Sequence, residues 1–204
     1  MAAYPLTRHL PDMFLKSLIF VFSLQLFLFI VSDPGLTAEL KRKTTFKEMT
    51  ATNSDTHVLV FATLDNTLTP EMISILHSGI TLKFSFFIEL HKITENWPEE
   101  QITTLTFQHL MTHDTLKENY RVTLEEDNNM IFSFKSLAEA QNLLNELNGT
   151  KVVALKQLIP DNRYKLKIRA ELYQKTLPLS LHNVVPFLSW WDVATDWHSI
   201  EFTY

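Results

Sequence analysis

The chain contains no cysteine. A disulfide framework, a thiolate metal site and a cysteine nucleophile are therefore excluded. The absence suits an oxidising compartment, because nothing there can mispair. Glycine is almost as scarce, with 3 in 204 residues. No glycine-rich loop exists to cradle a phosphate, and no G-x-S-x-G elbow to raise a serine nucleophile. Positive charge is in deficit: 18 Lys+Arg stand against 23 Asp+Glu, a formal net charge of −5. Such a surface repels phosphate backbones, so nucleic acid is not a partner the composition supports. No apolar run reaches the roughly 20 residues of an ordinary membrane-spanning helix.

What is there begins with Leu18 to Val31, an uncharged apolar run of about 14 residues. Arg8, His9 and Lys16 precede it, and Asp33-Pro34-Gly35 follows. A cationic lead, a hydrophobic run and a turn are the anatomy of an export signal. Thr37-Ala38 offers a small residue for cleavage, but Leu36 stands where a second is wanted. Counting Met13 to Leu15 into the run, with Lys16 snorkelling to the interface, makes a short span. Residues 1–38 are thus expected to be a signal peptide or a retained membrane anchor. Arg8 and Lys16 favour an inside N-terminus and an outside domain, while Lys41, Arg42 and Lys43 oppose that orientation. The domain is expected outside the cytosol, which in a bacterium is the periplasm or the periplasmic side of the inner membrane.

Residues 39–55 are polar and lack periodicity, so they read as a linker. Residues 56–204 read as one β-rich globular domain. His57 to Asp65 alternates as a strand. Thr69-Pro70-Glu71 starts a helix, and His77-Ser78-Gly79 stops it. Ile80 to Ile93 predicts a long strand with a bulge at Phe86-Phe87. Gln101 to His113 predicts a strand pairing back on it. Tyr120 to Glu125 and Met130 to Phe134 form a hairpin around Asp127-Asn128-Asn129. Ser136-Leu137-Ala138-Glu139 is a capping box whose helix runs to about Leu147 and stops at Asn148-Gly149. Lys151 to Ile159 and Arg163 to Gln174 are further strands, and a tail from Val184 to Trp197 carries three tryptophans. The fold class is α+β: mostly antiparallel β, about seven strands, sandwich-like, with two short helices behind an N-terminal hydrophobic segment.

His109, His113 and Asp114 are the candidate metal or hydrolytic set. On a helix, i and i+4 imidazoles share a face about 6 Å apart. On a strand the spacing opens to roughly 13 Å, too far for one ion. Since this segment reads as strand, and Leu110 fills the place of the glutamate in an H-E-x-x-H helix, no metal site, cofactor or catalytic residue is assigned. Trp190, Trp191 and Trp197 are the candidate ligand-binding residues, able to stack on an apolar or ring-bearing envelope ligand or to close the core. Asn148-Gly149-Thr150 matches a glycosylation acceptor, but a helix stop explains Asn-Gly without a sugar.

Taken together, several segments resemble a bacterial exported family, domain-of-unknown-function family 4390, over His57 to Tyr204. They are Leu64 to Asn66, Ser78-Gly79-Ile80, Trp97, and Asp114-Thr115-Leu116 with Tyr120. Ser136 to Ala140, Tyr164 to Leu172, Leu177-Pro178 and the tryptophan-rich tail complete the series. His113 stands where the family pattern has Tyr, and Lys117 where it has Thr. The resemblance brings no activity with it. It implies an exported or anchored accessory domain whose partner is a membrane sensor of the two-component kind or another envelope protein. An uncleaved 18–31 segment would add the membrane itself.

Overall fold

The computed structural model describes residues 43–95, 98–172 and 193–204. The leader, Trp97, Leu177-Pro178, Trp190 and Trp191 lie outside the described residues. Strands dominate, pair antiparallel throughout, and form two sheets. The smaller has the order β1-β2-β7, with β1 Thr45–Asn53, β2 His57–Asp65 and β7 Glu146–Ala154. The larger has the order β10-β8-β3-β4-β5-β6. Its strands are β3 Leu82–Lys92, β4 Glu100–Asp114, β5 Asn119–Leu124, β6 Met130–Phe134, β8 Arg163–Leu172 and β10 His198–Thr203. The two-residue β9, Val193–Ala194, pairs with the end of β8.

Period-two patterning builds the core. Val58, Val60, Ala62 and Leu64 of β2 are buried, as are Leu82, Phe84, Phe86, Ile88 and Leu90 of β3. Tyr164, Leu166, Ile168, Ala170 and Leu172 of β8 join the same cluster. Helix α1, Pro70–His77, begins on Thr69, whose Oγ1 accepts the Met72 N–H, with Pro70 in the first turn. It buries Met72, Ile75 and Leu76 and packs on β4. Helix α2, Leu137–Asn145, lies against β4, β5, β6 and β2. The described helices are too short to cross a membrane.

Four expectations are corrected. The segment 39–55 is not all linker, because Thr45–Asn53 forms β1 on the edge of β2. A bulge between Phe46 and Glu48 interrupts its alternation. Phe46, Met49 and Ala51 still face the core, at spacings of three and then two. The Phe86-Phe87 bulge does not occur: pairing runs unbroken there, and the irregularity falls at Leu90/His91. Helix α2 ends at Asn145, and β7 starts at the next residue. Asn148-Gly149 is then a strand bulge, with Gly149 skipped between the Phe61 and Val60 pairings at φ 79°. Finally, Ser136 occupies the cap position, but its hydroxyl makes no capping bond. The 5–6 hairpin turns without glycine because Asn128 and Asn129 take φ of 56° and 60°.

Candidate functional site

The chemistry-bearing side chains gather where the helices meet β4 and β5. His109 and His113 both point from β4 toward the helical side, because residues i and i+4 of a strand share a face. They do not converge. His109 is wholly buried. Its Nδ1 donates to the Leu144 carbonyl at 2.9 Å, and its Nε2 meets Glu126 Oε1 at 2.6 Å. A carbonyl only accepts, so Nδ1 carries a proton and one further proton serves the Nε2···Oε1 bond. Leu144 lies in the last turn of α2, where carbonyls lack partners within the helix. His109 thus caps that helix and ties β4 to the loop carrying Glu126. Phe86 and Phe107 flank the ring, at centroid distances of 4.6 and 5.9 Å. The second Glu126 oxygen is buried without a bond.

His113 belongs to a different group. It pairs with Tyr120 across β4 and β5, and the last turn of α1 brings His77 over both. His77 Nε2 lies 2.7 Å from the Tyr120 hydroxyl. The His77–His113 ring centroids are 4.9 Å apart, and those of His113 and Tyr120 are 4.7 Å apart. Nδ1 of His113 is buried without a partner. Asp114 turns away into its own loop. It accepts the backbone N–H groups of Leu116 and Lys117, each at 3.1 Å, and faces Arg121. The Lys117 N–H, with that of Leu116 and the Arg121 charge, holds its carboxyl below the ordinary aspartate range. Among the described residues, no three His, Asp or Glu side chains are arranged to hold a metal ion.

Away from the helices, several charges are paired. Lys165 bonds Glu99 and lies 3.5 Å from Glu201, which also takes Arg163 at 2.7 Å. The Lys165 hydrogen bond lowers the Glu99 pKa, and Glu99 raises that of Lys165. Lys43 does the same for Asp196 at 2.6 Å, holding its carboxyl down.

Of the three candidate tryptophans, Trp197 is described. It sits in the break between β9 and β10, 43% exposed. The break is pinned by Thr195, whose N–H donates to the Ala170 carbonyl and whose Oγ1 accepts the Ala170 N–H. Sequence reasoning missed His77, Tyr120 and Glu126 as neighbours of the β4 histidines. The single available signal was His77 at a helix stop, beside a strand hairpin that could fold under it.

Comparison with characterised proteins and with solved structures returned no match. The family described as Domain of unknown function (DUF4390) matches residues 41–201, a span that takes in both sheets, both helices and the His77, His109, His113 and Tyr120 groups. The chain belongs to that family.

Proposed function

We propose that the domain is a non-catalytic interaction module of the bacterial envelope, exported or anchored by the Leu18–Val31 segment, and that its partner is a membrane sensor. The observation that carries this reading is the engagement of His109, Glu126, Asp114 and Tyr120 in structural hydrogen bonds. His109 and Glu126 hold α2, Asp114 closes its own turn, and the Tyr120 hydroxyl meets His77. Groups so engaged shape a surface instead of attacking a substrate. Leu116, 95% exposed at the tip of the β4–β5 turn, is an accessible position for a probe.

Two measurements test the reading. The intact mass of the full chain from membrane and soluble envelope fractions decides between anchor and cleaved leader. A photoreactive residue at Leu116 in living cells then reports the neighbour. A covalent adduct with a membrane sensor supports the proposal. Recovery from the cytosol, or no adduct with any envelope protein, overturns it. Exposure of Trp197 favours a second reading, an apolar envelope ligand held against the C-terminal aromatics. Lipid extracted with the native protein and lost in Trp197→Ala would establish it, and a lipid-free protein would dismiss it.

A further inference from the structure

Four strands end the two sheets, and three are guarded. β1 carries Lys47, Glu48 and a bulge; β7 carries Glu146, Lys151 and two register shifts; β10 carries Glu201. Lysines, acids and bulges are how proteins keep a sheet edge from pairing with another chain. β6 has none of these. Met130-Ile131-Phe132-Ser133-Phe134 bears no charge, and its register on β5 is unbroken from Tyr120↔Phe134 to Leu124↔Met130. The described residues place no strand on its outer side. Met130 and Ile131 are 54% and 62% exposed.

Charge sits at the two ends of β6 instead, with opposite signs. Exposed Glu125 and Asp127 precede it, and exposed Lys135 follows. A parallel second copy would set Lys135 against Lys135 and acid against acid. An antiparallel copy turned about Ile131 would bring Lys135 of each copy toward the acidic turn, with Glu125 and Asp127, of the other. It would also place Met130 opposite Phe132 and Ile131 opposite itself, on the pleat's alternating faces. We propose that the protein self-associates through β6, antiparallel about a two-fold axis at Ile131, so that the larger sheets of two copies become continuous. This inference does not depend on the sensor reading; it holds or fails by itself.

The absence of native cysteine makes the test clean. Single cysteines at Asn129, Ile131 and Ser133, with Thr203→Cys on β10 as the far-edge control, are placed in the full chain in the cells that make it. Antiparallel neighbours have Cα atoms about 4.5–5.5 Å apart, inside the reach of a disulfide. Mild oxidation should give a covalent dimer that peaks at Ile131→Cys and is absent at Thr203→Cys. Ile131→Lys should weaken association about tenfold while leaving the fold of the single copy intact, read as an unchanged circular dichroism spectrum. Lys135→Glu should also weaken it, and adding Asp127→Lys should restore it. Even cross-linking at all positions, none at all, or an adduct with a different protein at Ile131→Cys overturns self-association. The last result would mean that β6 takes a strand of another sequence.

Discussion

His109 joins three pieces of chain that are far apart in sequence: β4, the last turn of α2 and the loop holding Glu126. Replacing it with alanine strands a buried carbonyl and a largely buried carboxyl. His109→Ala should therefore cost about 2–4 kcal/mol, since each unpaired buried partner costs about 1–3 kcal/mol. Glu126→Gln keeps an oxygen for Nε2 and should cost less; thermal unfolding of both variants checks the order. The sequence singled out His109, but its partner comes from a turn on the far side of β5, which no local spacing reveals. Three carboxyls contribute acid sensitivity. Glu99, Asp114 and Asp196 all have lowered pKa values. Their contribution is present above the ordinary carboxylate range, near about pH 4, and is lost as pH falls below it through the lowered folded values. Lys165, with a raised pKa, has the opposite sign. Its contribution is complete below the ordinary lysine value and is lost only as pH rises past the raised one. Melting temperature against pH should fall on the acid limb, less steeply in Asp114→Asn.

At the scale of elements, bulges decide which strands a reader can see. β2, β3 and β8 alternate cleanly and are legible, as is α1 with its Thr-Pro start. β1 is hidden because the extra residue at Lys47 shifts its apolar period midway. The first half of β7 is hidden because Asn148-Gly149 looks like a helix stop, whereas Gly149 fills a bulge that needs positive φ. Its second half, Lys151 to Ala154, falls in the strand expected over 151–159, which gives way to a 3-10 turn at Leu155–Gln157. β10 also went unrecognised, although Ile200 and Phe202 alternate with polar neighbours against β8. A methyl group at Gly149 would meet the Phe61 ring at 3.4 Å and hold a left-handed backbone. Gly149→Ala should destabilise by about 1–2 kcal/mol, read as a lower urea midpoint with the slope unchanged. β4 carries many threonines and could be read as a helix by its apolar spacing. Its pairing on β3 and β5 settles it as strand, and that assignment separates the two histidines.

Across the whole molecule, the class was legible and the wiring was not. Alternation along the chain predicts antiparallel β with two helices. It does not predict that β7 crosses back to β2 after four strands and two helices, or that the C-terminal segment lies along β8. Such pairings depend on which edges remain open once hairpins have formed, a property of the assembled sheets. The tryptophan site was legible only as a composition, and Trp197 alone of its three residues falls among those described. Because β1 is part of the core, the domain begins near Lys43 and not at residue 56. A chain starting at Ser54 loses Phe46, which is 6% exposed, and the partly buried Met49. It should be less stable than one starting at Lys43 by at least about 3 kcal/mol, measured by urea unfolding.

The point where the chain enters the domain is also its mechanical attachment. Lys43 reaches Asp196, the Thr44 hydroxyl donates to the Asn66 carbonyl, and Phe46 packs edge-on against His198. Asp196 and His198 belong to the C-terminal run along β8 of the larger sheet, whereas Asn66 follows β2 of the smaller. Tension applied on the N-terminal side of Lys43 consequently meets the Lys43–Asp196 and Thr44–Asn66 contacts before the first β1–β2 rung, Thr45↔Asp65, with Phe46–His198 directly behind it. The clasp acts as strain relief, and a tug on the leading segment reaches the core as a distributed load instead of peeling one strand.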